Sequence, residues 1–144
     1  MEKPKIFIPD ASIIIAYLLQ ENLWSKQINK FFDDFKQEKI QCLVPPLWYY
    51  EISNRLARIK IAREKKNNIL FQNENNLGFV TIEPDKEQNL CAFNLCEKYS
   101  DITFYDASYH ALAQSIGGIF ITADKKYFNL IKKEKNIEFI ADYS

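Results

Sequence analysis

Short apolar runs with strand character alternate with helical patterns along the whole sequence, and this alternation constrains the fold more than any other feature. Strands are predicted at Lys5–Pro9, Ile40–Val44, 79–82, Ile119–Thr122 and 137–140. Strands separated by helices imply βαβ crossovers, which build a mostly parallel sheet with helices on both faces. The sequence therefore predicts an α/β fold, a three-layer α/β/α domain with a sheet of four or five strands.

Helices are predicted between these strands, because apolar residues recur there at three- and four-residue spacing. The predicted helical segments are 11–19, a second segment that ends near Phe35, a third that starts at Pro45-Pro46, and then 63–76, 85–99, 104–115 and 125–130. Gly117-Gly118 suits the end of the sixth. The second carries a wide aromatic stripe at Trp24, Phe31, Phe32 and Phe35. That stripe is either a core face or a groove for a second chain.

The composition fits one globular domain. The chain has 144 residues, of which 47% are hydrophobic and 26% charged, and this length is typical of a single domain with its own core. We therefore expect one domain spanning residues 1–144. Nineteen basic and nineteen acidic residues cancel, so attraction to a polyanion has to come from a local cluster of basic side chains.

Nothing in the sequence predicts attachment to a membrane. No stretch approaches the roughly 18 uninterrupted apolar residues of a membrane-spanning helix, and the first residues lead into a predicted strand without a secretory leader pattern. We therefore expect a cytoplasmic protein, in which Cys42, Cys91 and Cys96 are buried reduced thiols. These cysteines form no CxxC motif and His110 is the only histidine, which argues against a zinc site.

Four acidic residues stand at positions that would bring them to one edge of the predicted sheet. Asp10 directly follows the first strand, and Asp124 follows the strand Ile119–Thr122. Glu51 and Asp106 lie near the starts of two predicted helices. In open parallel sheets, ligands bind outside the carboxyl ends of the strands, so we expect these four carboxylates to converge there.

Each acid also has an ordinary structural explanation. Asp10 and Asp124 are both positioned to cap the helix that follows. Asp106 has the capping-box spacing from a preceding threonine. Glu51 is either solvated or positioned to pair with Arg55, one turn later on the same helix.

Converging carboxylates would repel one another unless a cation lay among them. One or two carboxylates with retained water suit Mg²⁺ or Mn²⁺, and such ions promote hydrolysis of phosphodiesters. The hydroxyls of Ser12 and Thr122 are placed to orient ligands or water as supporting donors. No serine or cysteine nucleophile with a partner base is apparent. The sequence therefore predicts a nuclease that depends on Mg²⁺ or Mn²⁺.

The four acids lie in three motifs: Ile8-Pro9-Asp10-Ala11-Ser12, then Pro45 with Glu51 and Asn54, and finally residues 102–113 followed by Ile121-Thr122-Ala123-Asp124. These motifs resemble those of the PIN-domain family, and most closely its VapC-type toxins from prokaryotic toxin–antitoxin pairs. Each motif is short, but their order and spacing together are specific. The resemblance covers about residues 5–141, nearly the whole chain.

The resemblance implies a PIN fold and a ribonuclease whose four acids hold Mg²⁺ or Mn²⁺. The three aspartates would be direct or water-mediated metal ligands. Glu51 would complete the site or orient the attacking water, and Asn54 would join Ser12 and Thr122 as a supporting residue. The resemblance also implies a homodimer and a small antitoxin protein that blocks the site.

A run of basic residues follows Glu51 in the sequence: Arg55, Arg58, Lys60 and Arg63. Such a run is either a solvated helix and turn or the local basic patch with which a neutral chain binds an RNA backbone. Its start beside Glu51 favours RNA binding.

Two further groups have open roles. His110 lies one turn after Asp106, so it is either a general base or a packing or dimer-contact residue. Four tyrosines would either stack on unpaired bases or belong to the core or an interface: Tyr49, Tyr50, Tyr105 and Tyr109.

Two other functions fit parts of the sequence. A non-catalytic PIN-like module for RNA binding or assembly is the main alternative, because acids can persist as helix caps. A phosphoacceptor receiver domain has a similar length and fold class, but it would carry clustered acids after its first strand, where this chain has one. Ile82-Glu83-Pro84-Asp85 also matches its phosphorylation site poorly. The sequence therefore favours an endoribonuclease that cuts single-stranded or looped RNA.

Overall fold

The computed structural model describes residues 2–21, 23–71 and 78–144. Its strands are β1 Lys5–Pro9, β2 Ile40–Val44, β3 Val80–Thr81, β4 Ile119–Thr122 and β5 Ile137–Phe139. They form one sheet in the order β3-β2-β1-β4-β5, and all four neighbouring pairs are parallel. The predicted α/β fold with a parallel sheet is confirmed.

Seven α-helices lie in the described part of the chain. They are α1 Ala11–Leu18, α2 Ser25–Lys36, α3 Leu47–Arg58, α4 Arg63–Phe71, α5 Lys86–Lys98, α6 Phe104–Ile116 and α7 Lys125–Ile131. Most ends fall within a residue or two of the sequence prediction. Of the predicted helix 63–76, the structure has the part up to Phe71, and the remainder lies outside the described residues.

Two predicted strands are shorter than expected. The predicted strand 79–82 is reduced to the exposed edge strand β3, although the Ile82 N–H still bonds the Val44 carbonyl at 2.9 Å. The predicted strand 137–140 ends at Phe139, because the chain then turns into a 3₁₀ helix, Ile140–Asp142. Both strands lie at the outer edges of the sheet, where a partner on only one side constrains the backbone less.

The hydrophobic core explains the apolar helix α1 and the aromatic stripe of α2. α1 is apolar almost all round because it is buried on most sides, with Ile13 and Ile14 fully inaccessible. In α2, Phe31 and Phe32 are also fully buried, and Trp24 packs against the same core from a half-buried position. The aromatic stripe is therefore a core face.

The central strands β1 and β4 are held in register by a close approach at Gly118. α6 ends at Gly117, whose φ of +72° is the left-handed conformation that glycine adopts without strain. A Cβ on Gly118 would lie 2.8 Å from Ile8 Cδ1 and 3.1 Å from the Ile6 carbonyl. This packing sets Pro9 beside Ile121, so the carboxyl ends of β1 and β4 lie together.

Within the described residues, no helix is long and apolar enough to cross a membrane. Cys42, Cys91 and Cys96 are all free thiols, as predicted. Only Cys42 is buried, whereas Cys91 and Cys96 are half-buried on α5, so the prediction of burial was wrong for these two.

Candidate metal centre

Asp10 is oriented by side chains rather than by the helix it precedes. It occupies the N-cap position of α1, yet its carboxylate makes no capping hydrogen bond. Its Oδ2 instead accepts hydrogen bonds from Thr122 Oγ1 at 2.6 Å and from Ser12 Oγ at 3.2 Å. The capping explanation therefore fails for this residue.

Ser12 and Thr122 connect Asp10 to the loop after β4. The Ser12 hydroxyl accepts a hydrogen bond from the Ala123 N–H at 3.3 Å, and the Thr122 hydroxyl accepts one from the Asp124 N–H at 2.9 Å. Each hydroxyl thus accepts a hydrogen bond from a backbone N–H of the loop after β4 and donates one to the Asp10 carboxylate. The two strand ends that carry Asp10 and Asp124 are locked together.

Asp124 caps a helix, and Asp106 lies in the first turn of a capped one. Asp124 Oδ1 accepts a hydrogen bond from the Tyr127 N–H at 3.0 Å at the start of α7. At the start of α6, Thr103 Oγ1 accepts one from the Asp106 N–H at 3.1 Å. The Asp106 carboxylate itself is half-buried and lies in the same cavity wall as Asp124. Capping leaves one Asp124 oxygen and the Asp106 carboxylate available to a ligand.

Glu51 has no ion pair in the described part of the chain. Arg55, the expected partner, instead pairs with Glu21 at 2.9 Å. Glu51 Oε1 and the Tyr109 hydroxyl are both buried and make no hydrogen bond of acceptable geometry with the described residues. The two groups are nevertheless close enough to influence each other's ionisation, so the tyrosine hydroxyl faces the carboxylate.

The four carboxylates form one electrostatic cluster. Burial raises the pKa of Asp10 from 3.8 to about 7, and the charges of Asp106 and Glu51 add to this increase while the Thr122 hydrogen bond opposes it. Burial also raises the pKa of Glu51 and of Asp106. Among the described residues, none of the four acids has a lysine or arginine partner. The cluster therefore concentrates negative charge without an ion-paired counter-charge among the described residues, and Lys126 lines the cavity that Asp106 and Asp124 share.

This donor set suits a hard divalent cation held partly through water. Carboxylate and hydroxyl oxygens are the ligands that Mg²⁺ and Mn²⁺ prefer. No three acidic, histidine or cysteine side chains within the described residues stand close enough together to hold an ion directly. A cation that binds one or two carboxylates and keeps several waters is the mode that this arrangement fits.

His110 belongs to the core. It is fully buried; its Nε2 lies 2.7 Å from the Lys135 carbonyl and its Nδ1 lies 3.3 Å from the Tyr127 hydroxyl. Since a carbonyl only accepts, Nε2 carries the proton and Nδ1 accepts from Tyr127. Burial lowers the pKa of His110, which favours the neutral ring. With both nitrogens occupied, His110 is a packing residue and not a general base.

The basic residues and Asn54 lie further from the cluster. α3 starts at the carboxyl edge of the sheet, so each turn after Glu51 leads away from that edge. Asn54 is exposed, and its side chain makes no hydrogen bond with the described residues. The charge of Arg55 is offset by Glu21. Arg58, Lys60 and Arg63 form no ion pair with any described residue; Arg58 and Arg63 are exposed.

Tyr109 belongs to the core, one of the roles that the sequence left open for it. It is fully buried beside Glu51, so it does not stack on a base, and its place in the acidic cluster was not predicted. A usable signal existed: Tyr109 follows Asp106 by three residues, so the two lie on one face of α6. Tyr105, in contrast, is exposed.

Comparisons with known proteins agree with this geometry. The family model described as PIN domain matches residues 7–134. Among solved structures, VapBC from Salmonella typhimurium bound to DNA gives a TM-score of 0.70 at 15% identity, covering 94% of this chain and 98% of that one. VapBC2 from Rickettsia felis, bound to a promoter DNA fragment, gives 0.69 at 14% identity, covering 93% and 98%. A toxin–antitoxin complex from Klebsiella pneumoniae gives 0.63 at 18% identity, covering 94% and 97%. No curated protein sequence matches.

Proposed function

Because this chain belongs to the PIN-domain family, we propose that it is a metal-dependent endoribonuclease of the VapC toxin type. The observation that carries the proposal is the environment of Asp10. A buried carboxylate with a strongly raised pKa is held by two hydroxyls instead of capping its helix, and it is coupled to Asp106 and Glu51. Such an arrangement costs stability in the empty protein, and strongly perturbed carboxylates of this kind are typical of functional sites.

Each residue of the cluster has a role in the proposed reaction. Asp10, Asp106 and Asp124 hold Mg²⁺ or Mn²⁺ directly or through water. Glu51 orients the attacking water and takes up its proton, for which a raised pKa is suitable. Thr122 keeps one Asp10 oxygen in a fixed direction.

The bound cation supplies Lewis acidity towards the phosphodiester and makes an attacking water more acidic. The chain's own groups position the reactants. The supporting hydroxyls fix the ligands, and the exposed basic residues Arg58, Lys60 and Arg63 would bind the RNA backbone further along α3 and the turn that follows it. We propose that the substrate is single-stranded or looped RNA and that the protein acts in the cytoplasm.

A protein partner is part of the proposal. The structural neighbours from Salmonella typhimurium and Rickettsia felis are VapBC assemblies, and the one from Klebsiella pneumoniae is a toxin–antitoxin complex. By analogy, we propose that a small antitoxin binds this chain and blocks the acidic cluster, and that the chain forms a homodimer. Co-expression with the product of an adjacent small gene, followed by size-exclusion chromatography, tests both points.

The first experiment is calorimetric titration of Mn²⁺ into the wild type and into Asp106→Asn, with Asp33→Asn as a matched control. Asp33 is an exposed aspartate on α2. We expect Mn²⁺ binding in the wild type and in the control, and lost or strongly weakened binding in Asp106→Asn. Equal binding in all three proteins would exclude Asp106 as a ligand. Absence of binding in all three, with RNA binding retained, would favour the non-catalytic module.

Cleavage is tested next with the same variants. Purified Asp10→Asn and Asp106→Asn should fold normally and fail to cleave RNA that the wild type cleaves in Mn²⁺, whereas Asp33→Asn should cleave it. Circular dichroism and thermal unfolding check the fold of each variant. Undiminished cleavage by either cluster variant would refute the assignment of that residue.

A further inference from the structure

A cavity of about 290 Å³ opens at the same edge of the sheet as the acidic cluster, and the roles proposed above do not use it. It lies between the loops that follow β2 and β3 and the first turns of α3, α5 and α6. We call it the Pro–Tyr pocket. Its main lining residues are Pro46, Leu47, Pro84, Gln88, Phe104 and Tyr105.

Two helices connect the Pro–Tyr pocket to the acidic cluster. On α3, Leu47 lines the pocket and Glu51 follows four residues later, so their side chains lie on one face about 6 Å apart at Cβ. On α6, Tyr105 lines the pocket and the adjacent residue, Asp106, belongs to the cluster. A group bound in the pocket would therefore lie directly beside a phosphodiester held at the cluster.

The walls of the pocket are flat and partly exposed. Phe104 is 40% exposed and packs against Phe93, with ring centroids 5.4 Å apart, whereas Tyr105 is 61% exposed and has no aromatic neighbour within the described residues. Proline rings form part of the opposite wall. Aromatic faces of this kind bind unpaired bases of any sequence by stacking.

The floor carries an amide that is only partly satisfied. Gln88 is 3% exposed, and its Nε2 donates one long hydrogen bond, 3.5 Å, to the Ser108 carbonyl. Its side-chain carbonyl accepts no hydrogen bond from the described part of the chain. A ligand that offers both a donor and an acceptor would satisfy it, whereas an apolar protein side chain would leave it unpaired at a cost.

We propose that the Pro–Tyr pocket binds one unpaired base of the RNA substrate, next to the bond that is cut. This inference rests on the ribonuclease function proposed above and adds a determinant of base preference to it. Tyr105 stacks on the base, and the Gln88 side-chain amide forms hydrogen bonds with the edge of the base. Because a glutamine amide pairs in two places with the N6 and N7 of adenine, adenine is the base that fits best.

Binding can be tested without cleavage by using probes that contain a single base. The probe is a fluorescein-labelled RNA pentanucleotide that is abasic at every position except a central adenine, and the reference is the fully abasic pentanucleotide. Fluorescence anisotropy is measured in Ca²⁺, and a gel afterwards verifies that the probes are intact. We expect the adenine to improve the affinity of the wild type by about tenfold or more.

Two variants assign that gain to the pocket. Tyr105→Ala should remove most of it, whereas Phe71→Ala, which removes an equally exposed aromatic ring (64%) outside the pocket, should keep it. Gln88→Met preserves the size of the side chain and should keep stacking but lose the preference for adenine over uracil in the central position. Thermal unfolding checks that the buried position tolerates methionine.

The outcomes separate this inference from the function it rests on. Equal affinity for the adenine and abasic probes, or equal losses in Tyr105→Ala and Phe71→Ala, would overturn the pocket assignment and favour a protein side chain as its occupant. Sequencing of fragments from a randomised RNA should show adenine enriched at one position beside the cut, and this enrichment should disappear in Gln88→Met. Absence of Mn²⁺-dependent cleavage together with base-dependent binding would refute the nuclease function alone.

Discussion

Replacing Asp10 by asparagine is expected to stabilise the metal-free protein at alkaline pH. The structure raises the pKa of this carboxyl from 3.8 to about 7, so the native state binds the proton more tightly than the unfolded chain does. The free energy of unfolding therefore falls as the pH rises from 3.8 through about 7. At about 1.4 kcal/mol per pKa unit, the full loss is of the order of 4 kcal/mol, of which about 3 kcal/mol arise above about pH 5.

Asparagine keeps the shape of the side chain and carries no charge at any pH. With its oxygen in the place of Asp10 Oδ2, it can still accept from both Thr122 and Ser12, so the altered hydrogen bonding should cost only about 1 kcal/mol. The variant should thus be about 3 kcal/mol more stable than the wild type near pH 8 and nearly equal to it near pH 5.

Urea unfolding in the presence of a chelator, repeated across this pH range, measures the difference. Asp33→Asn is the control and should follow the wild type at every pH. Adding Mn²⁺ should reverse the order of stability, because the cation stabilises only the protein that binds it. If the wild type and Asp10→Asn kept a constant difference in unfolding free energy across the range, the inferred cost of ionised Asp10 would be wrong.

Three further substitutions test other parts of the argument. Thr122→Val removes the hydroxyl that holds Asp10 and should weaken Mn²⁺ binding about 10- to 100-fold; calorimetry that gives wild-type affinity would contradict its supporting role. Gly118→Ala places a methyl group against Ile8 and should destabilise the fold by about 1–3 kcal/mol in urea unfolding, so an unchanged midpoint would argue against the close approach. His110→Phe leaves the buried Tyr127 hydroxyl without its acceptor and should lower the unfolding free energy by about 2 kcal/mol. Mn²⁺ affinity should then remain at the wild-type value, and its loss would reopen a role for His110 in the site.

Local patterns were sufficient to predict the elements and the edge at which the acids meet. Asp10 follows its apolar strand directly and Asp124 follows its strand after one residue, and in a parallel sheet this fixes the edge on which they lie. The same kind of local spacing offered Arg55 as one possible partner of Glu51, and the structure does not form that pair. An exposed i,i+4 pair contributes only a few tenths of a kcal/mol, so another acid brought near by the fold, Glu21, readily takes the arginine.

The alternative explanations of the acids were decided by contacts between distant parts of the chain. The sequence left open whether Asp10 caps α1, and the answer depends on Thr122, which lies 112 positions away. The sequence also left open whether Tyr109 stacks on a base or belongs to the core, and burial between α6 and the sheet turns its hydroxyl towards Glu51. The spacing of residues within a single helix predicts neither of these two contacts.

The sequence alone determined the order of strands and helices, because hydrophobic periodicity and turn residues act over a few neighbouring positions. It also determined that four carboxylates would follow the strand ends or begin the adjoining helices. Only the tertiary structure decided which carboxylate is buried, which hydroxyls orient it, and which basic residues are already paired. It alone revealed the Pro–Tyr pocket, whose walls come from α3, α5 and α6. The reason is physical: pKa values, hydrogen-bond partners and cavities depend on distances through space, which packing sets and sequence separation does not.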